Sequence, residues 1–231
     1  MISKKIPDTD MLKLQNITKS FTGRGIVLDK LEISVEKGDS IAVTGPSGSG
    51  KTTLMNIMSL LDRPDSGDVH FNGKSILLFN PDEAAFYRNK NLGFVFQDHL
   101  LFPHLSIKEN ILLPVFASEI SKKEFLEKEA WCQLLMKQTG ITDISGKYPF
   151  QISGGEAQRA TLVRALVNKP LILLADEPTG SLDSKNADSL GDLLVEMNTG
   201  FGLTLMVATH SSSLASKMKI HLRLVNGRLV N

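Results

Sequence analysis

The 231-residue chain is short of several things at once. It has a single cysteine, Cys132, which excludes an internal disulfide and a cysteine-based zinc site. Cys132 lies in a helical pattern beside Trp131, Leu134 and Leu135 and reads as a packing thiol. Long apolar runs are missing too. Ile111–Ala117 and Leu171–Ala175 are the main ones, and neither nears the ~20 residues of a membrane-spanning helix. The stretch Met1–Asp10 carries charge but no apolar h-region, so no secretory signal is expected. Nor is one sign of charge in excess. Lys plus Arg number 26 and Asp plus Glu 25, a net charge of +1, which argues against the basic face of a nucleic-acid binder. Nine Pro and 18 Gly are too few for a disordered or fibrous chain. These absences leave a reduced, cytoplasmic globular protein as the expectation.

Apolar periodicity supplies the organisation. Leu12 and Leu14, then Leu31, Ile33 and Val35, recur at every second position, as half-buried strands require. Turns are expected at Gly23-Arg24-Gly25 and Lys37-Gly38-Asp39. Ser40–Thr44 is a continuous short run suited to a strand covered on both faces. A glycine-rich loop follows, then a helix with Leu54, Ile57, Met58 and Leu61 on one stripe. Val69 and Phe71 before Asn72-Gly73 predict a hairpin, and Asn80-Pro81 a helix start. Leu92–Phe96, Leu171–Ala175 and Leu203–Ala208 read as buried strands. Ser106 to Val167 is mostly helical, with a capping box at Ser121 to Glu124 and a stop at Gly140. Asn226-Gly227 predicts a terminal hairpin. Strands alternating with helices imply an α/β fold with a mainly parallel core sheet, an antiparallel β side sheet and a helical insertion.

Three segments carry chemistry. Gly45-Pro46-Ser47-Gly48-Ser49-Gly50-Lys51-Thr52, followed by Thr53, fits G-x-x-x-x-G-K-[ST] between a buried strand and an amphipathic helix. Glycines let successive N–H groups turn toward phosphate oxygens, and the helix start adds its positive end. Lys51 brings a mobile cation for the β- and γ-phosphates, and Thr52 a hydroxyl for Mg²⁺. In Leu171–Pro178 four apolar residues deliver Asp176 and Glu177 to a strand's carboxyl end, where open α/β sheets bind ligands. Asp176 is expected in the Mg²⁺ shell and Glu177 as the group that polarises the attacking water. Ser153-Gly154-Gly155 opens a helix with Leu162, Val163, Leu166 and Val167 on its buried side, a second anion site.

The order phosphate loop, Ile152–Arg159, Asp176-Glu177 resembles the ATP-binding-cassette (ABC) ATPases, with Ser153-Gly154-Gly155-Glu156 as their signature motif. Further segments match that family in sequence order. Gln97 in Phe94-Val95-Phe96-Gln97 is similar to the glutamine loop, Ser181-Leu182-Asp183 to the D-loop, and His210 to the switch histidine. Phe21 in Lys19-Ser20-Phe21 is similar to the aromatic that stacks on adenine. The resemblance covers essentially the whole chain as a single ABC ATPase domain. It implies a nucleotide-binding core with the β subdomain over 1–97 and 160–231, and a helical subdomain over about 98–159.

The resemblance further implies a head-to-tail pair of copies. ATP on the Lys51 loop of one copy would meet Ser153 and Gly155 of the other, with Gly154 and Asp183 also expected among the nucleotide-binding residues. Glu177 and His210 would act in hydrolysis, and Gln97 would link Mg²⁺ and the attacking water to separate transmembrane permease subunits. A narrower resemblance, carried by Leu61–Gly67, Gly93–Gln97 and Ala175–Gly180, is to lipoprotein-releasing, macrolide-export and division-associated ATPases. Ala165–Pro170 and Lys185–Ser189 are most similar to the first of these. Export or lipoprotein release at the inner membrane, from its cytoplasmic face, is the leading expectation. A macrolide or peptide exporter or a regulatory, division-type ATPase is the alternative. DNA-repair ABC ATPases fit poorly, since no sustained heptads separate Lys51 from Ser153. Departures from the group's common pattern stand at Ile152, Ser181 and Ser211. The histidines His70, His99, His104 and His221 are scattered, with no metal site expected at them.

Overall fold

The computed structural model describes residues 10–230; Met1–Thr9, where no signal sequence is expected, and Asn231 lie outside them. The alternating segments at the start form β1 (Asp10–Phe21) and β2 (Gly25–Glu36). They join β4 (Ser66–Phe71) and β5 (Lys74–Ser75) in an antiparallel sheet of order β2-β1-β4-β5. The uninterrupted apolar runs form β3 (Ser40–Thr44), β6 (Leu92–Val95), β7 (Ile172–Asp176) and β8 (Thr204–Ala208). With β9 (Ile220–Val225) and β10 (Arg228–Val230) they make a six-stranded sheet of order β10-β9-β3-β8-β7-β6. Its pairs are parallel except the β9–β10 hairpin at the edge.

The runs lack a polar alternation because both faces of this sheet are covered. Ile41, Val43, Ile172, Leu174, Met206 and Ala208 point to one side. There they meet helix α1 (Lys51–Met58) and the inner face of the antiparallel sheet, including Leu12, Leu14, Ile33 and Val35. Ala42, Leu173, Ala175, Leu205 and Val207 point to the other. They pack with residues of α3 (Ile107–Phe116), α4 (Lys122–Gln138), α5 (Gly154–Leu166) and α6 (Ser184–Phe201). Cys132 is a fully buried member of this second core, and burial pushes its thiol up to about 11, as a packing thiol requires. Two short helices, α2 (Pro81–Asn91) before β6 and α7 (Ser212–Ser216) after β8, complete the described elements together with two 3₁₀ turns.

Local signals place most boundaries. Asn80, Ser106 and Ser121 each close a capping box at the starts of α2, α3 and α4. Gly140, at φ 67°, follows α4, and Asn226-Gly227 turns β9 into β10 with φ values of 50° and 77°. One expectation fails at α1. Leu61 is 49% exposed instead of extending the buried stripe. The helix ends at Met58, and Leu60 takes a left-handed φ of 55°. The N–H groups of Leu61 and Asp62 then both return to the Asn56 carbonyl, which swings Leu61 off the helix face. Met55, not singled out by the stripe, is fully buried instead.

Helix α5 sits directly on β6. A Cβ on Gly93 would stand 2.4 Å from the Ala165 carbonyl oxygen and 3.0 Å from Leu173 Cδ1. Gly93→Ala must therefore lift α5 from the sheet, and a loss of about 1–3 kcal/mol in urea unfolding is expected. Gly146→Ala, which meets nothing within 4 Å, is the control and should stay within about 0.5 kcal/mol. Equal stability of the two variants would contradict this packing.

Candidate active site

The parallel register brings Val43, Ala208 and Asp176 into one row at the carboxyl ends of β3, β8 and β7. Two further hydrogen bonds carry the ladder past that row. Glu177 N–H donates to Ala208 O at 2.8 Å, and Thr209 N–H to Val43 O at 3.0 Å. The loops after the three strands therefore leave from a common line, where ligands of open α/β sheets bind.

The loop after β3 leads into a helix start unlike the others. Side chains cap the other six helices: Asn80, Ser106, Ser121, Ser153, Asp183 and Ser211. At α1 the N-cap is Gly50 with φ 106°, no side chain bonds the first-turn N–H groups, and the first turn holds no acid. Those N–H groups and the helix's positive end face the loop, ready for an anion. Gly45 begins the curl at φ 155°, and a Cβ there would stand 2.5 Å from Leu224 O. Ser49 Oγ is buried without a protein partner. Lys51, 7% exposed, donates from Nζ to Gly45 O at 2.9 Å and Pro46 O at 3.2 Å, so its charge lies inside the curl.

The acidic pair divides its work. Glu177 is held at a left-handed φ of 45°, which costs a non-glycine residue about 1–3 kcal/mol. Two hydrogen bonds converge on its Oε2, from Thr209 Oγ1 at 3.1 Å and His210 N–H at 3.2 Å, and His210 Nδ1 lies 2.9 Å from the same oxygen. Its Oε1 faces Lys51 Nζ at 3.8 Å. The carboxylate is thus aimed across the phosphate loop. Asp176 is 8% exposed, and burial raises its carboxyl above the ordinary 3.8. A polar contact with the Thr52 hydroxyl pulls it back, the neighbouring Glu177 charge raises it further, and Lys51 lowers it. Asp176 Oδ1 is buried without a hydrogen-bond donor. An orphaned carboxylate oxygen beside a hydroxyl is an all-oxygen donor set that fits Mg²⁺.

A comparison with known proteins decides the family: the ABC transporter family matches residues 28–180. The chain belongs to that family. It is 40% identical to the lipoprotein-releasing system ATP-binding protein LolD of Bacteroides thetaiotaomicron, over 95% of this chain and 99% of that one. The LolD protein of Syntrophus aciditrophicus is also 40% identical over the same shares. A dimeric bacterial ABC transporter cassette superposes with a TM-score of 0.85 at 34% identity, covering 96% of this chain and 97% of its own. A dimeric post-hydrolysis state of that cassette bound to ADP and Pi gives 0.84 at 33% identity and the same coverage.

The remaining expected residues of the ABC cassette fall into two groups. Ser153 caps α5, accepting from Glu156 N–H at 3.3 Å while its own N–H donates to Glu156 Oε2 at 2.7 Å. Asp183 caps α6, accepting from the N–H groups of Asn186 at 3.0 Å and Lys185 at 3.1 Å; these bonds hold its carboxyl below the ordinary range. The two helix starts adjoin, since a Cβ on Gly155 would come 3.1 Å from Asn186 Cγ. Among the described residues no hydrogen bond joins Ser153 or Asp183 to Lys51, Thr52 or Glu177. Gln97 follows β6 and borders the loop after Glu177, its Cγ 4.0 Å from where a Gly180 Cβ would lie. Phe21 ends β1, 40% exposed, with Lys19 Nζ 5.2 Å from its ring centroid.

Sequence reasoning missed Thr209 as a holder of Glu177, although it stands next to His210 in the same motif. It also missed how the segment after Gln97 is tied down. Arg164 donates to His99 O at 2.9 Å and Leu100 O at 2.8 Å, and His99 Nδ1 lies 2.5 Å from Gln158 Oε1. These contacts join residues 59 to 65 positions apart and leave no periodic trace.

Because the Asp176 carboxyl titrates higher folded than unfolded, its favourable contribution is full below pH 3.8 and is lost as pH rises through the folded value. At neutral pH the buried charge is therefore a net cost. Asp176→Asn should raise the thermal midpoint of the nucleotide-free protein by a few degrees near neutrality, a gain that shrinks as pH falls toward about 4. A lower midpoint at every pH would contradict the assignment.

Proposed function

We propose that this chain is the ATP-hydrolysing subunit of a membrane ABC complex that releases lipoproteins from the inner membrane, working as a head-to-tail pair on its cytoplasmic face. The observation that carries the ATPase reading is that Glu177, held by Thr209 and His210, faces Lys51 at the first residue of a helix with no capping side chain. The lipoprotein part rests on the likeness to the LolD proteins along nearly their whole length. On this reading residues 1–231 form one ABC ATPase domain. Residues 1–97 and 160–231 are its nucleotide-binding core with the β side sheet, and about 98–159 its helical part.

The phosphates of ATP lie against Gly45 to Thr53, Lys51 exchanges the Gly45 and Pro46 carbonyls for β- and γ-oxygens, and Phe21 takes the adenine. Thr52, Gln97 and Asp176 would hold Mg²⁺, which neutralises charge on those oxygens. Glu177, fixed by Thr209 and His210, accepts a proton from the water that attacks the γ-phosphate. A base so placed contributes about 10²–10⁴-fold. Ser153, Gly154, Gly155 and Asp183 serve the ATP of the other copy, which agrees with their having no hydrogen bond to Lys51, Thr52 or Glu177.

Among the described residues no helix is long and apolar enough to cross a membrane, so separate permease subunits supply the span. Their docking place is a cleft of about 550 Å³ lined by Phe94, Phe96, Leu100, Phe102 and Pro114. Leu100 and Phe102 are both 57% exposed there, and Gln97 lies on the same segment.

A Cβ on Gly154 meets nothing within 4 Å, so Gly154→Asp has room at the α5 start and adds a negative charge where a second copy's nucleotide would arrive. The variant should keep monomer stability and ATP affinity but lose ATP-dependent dimers and at least about 90% of turnover, measured by light scattering and phosphate release. Lys51→Ala should instead weaken ATP binding itself. Full turnover with Gly154→Asp, or unchanged ATP affinity with Lys51→Ala, would defeat the reading. Purification with membrane subunits that extract acylated lipoproteins supports the lipoprotein assignment; a cell-wall regulator as partner would replace it.

A further inference from the structure

The turn between β1 and β2 carries an arginine that the catalytic reading does not use. Arg24 Nη2 donates to the carbonyl of Gly48, in the middle of the phosphate loop. Gly48 has φ 78°, and a Cβ on it would stand 2.9 Å from that same nitrogen, so the guanidinium occupies the space that a glycine leaves open. The turn is itself tightly built: Arg24 N–H donates to Phe21 O at 3.0 Å, and Gly23 and Gly25 supply φ values of 81° and 76°. Further along β2, Val27 Cγ1 and Leu28 Cδ2 lie 3.0 Å from a Cβ built on Gly50. The hairpin therefore meets the loop at two points, Gly48 through Arg24 and Gly50 through β2. One residue after Leu28, β2 is braced in turn, with Asp29 N–H donating to Gly227 O at 3.0 Å and Arg228 Nη2 2.7 Å from Asp29 Oδ2.

We infer that Arg24 is a nucleotide-positioning residue that fastens the Phe21 turn to the phosphate loop, so that a nucleoside triphosphate meets its ring platform and its phosphate cradle at a fixed separation. The inference rests on reading Gly45–Thr53 as a phosphate loop and Phe21 as the ring platform. A ligand that touches two platforms binds as the product of both contacts only when their spacing is set beforehand. Arg24 is exposed and belongs to neither apolar core, so its removal leaves the fold in place. Its charge-assisted bond to Gly48 is the one contact by which the turn itself holds the loop among the described hydrogen bonds.

The test compares the unmutated chain with Arg24→Ala and Arg24→Lys, titrated by calorimetry with ATP and, separately, with inorganic tripolyphosphate, which uses the cradle alone. Arg24→Ala should weaken ATP about five- to tenfold and leave tripolyphosphate affinity within about twofold. In phosphate release KM should rise by the same factor while kcat and the thermal midpoint hold. Arg24→Lys, which keeps one donor for Gly48, should recover part of the ATP affinity. Unchanged ATP affinity in Arg24→Ala would overturn the inference. So would an equal loss for tripolyphosphate, since that makes Arg24 a direct phosphate ligand instead. Failure of the unmutated chain to bind either ligand would bring down the phosphate-loop reading, and the inference with it.

Discussion

Two backbone hydrogen bonds just beyond the parallel sheet govern the rest of the site: Glu177 to Ala208 and Thr209 to Val43. They extend the register of β3, β8 and β7 by one step, and so fix where three loops begin. The side chains that meet there come from positions far apart in the chain, and backbone pairing alone aligns them. The left-handed conformation of Glu177 is the clearest sign of that constraint. It opposes folding by about 1–3 kcal/mol. The two hydrogen bonds to its carboxylate, the nearby His210 ring and its two backbone bonds, to Ala208 O and from Gly180 N–H, offset this. Held in this way, the carboxylate faces Lys51 across the loop.

The fold supports this arrangement by covering the sheet on both sides. Odd and even residues of each central strand enter separate cores, one under α1 and the antiparallel sheet, the other under α3 to α6. Helix α1 is thereby seated without help from a capping side chain, and its first-turn N–H groups are left without a side-chain partner. Helix α5 is seated by the close approach of Gly93 to Ala165, which carries the Ser153 end to the neighbourhood of Asn186 and α6. The net charge of +1 is no obstacle to binding a polyphosphate, because the attraction would be local, from backbone N–H groups and one buried lysine, with Thr52 and Asp176 offering oxygens to a Mg²⁺ ion between.

Much of this was legible in the sequence, for identifiable reasons. Strands buried on both faces leave unbroken apolar runs, capping boxes leave Ser or Asn three residues before Glu, and a phosphate loop leaves glycines at fixed spacing. Signals of that kind are local. What escaped depends on contacts across the chain. Leu61 continues a helical stripe on paper, yet a left-handed Leu60 ends the run, and no residue type announces that turn. Thr209 carries no signal of its own beside His210, and only the fold sets its hydroxyl on Glu177. Arg24 is indistinguishable in sequence from a solvated turn residue, and only the fold sets it over Gly48. His99, scattered by position, turns out to be tied to Gln158 on the α5 helix.

The central claim is that the held carboxylate of Glu177 performs the chemistry and does not bind the nucleotide. Its most direct test is the Glu177→Gln chain, in which shape and most hydrogen bonds persist but the proton acceptor is gone. The account predicts ATP affinity within about twofold of the unmutated protein, phosphate release slower by roughly two orders of magnitude, and accumulation of ATP-bound dimers. Near-normal phosphate release by that variant would contradict it.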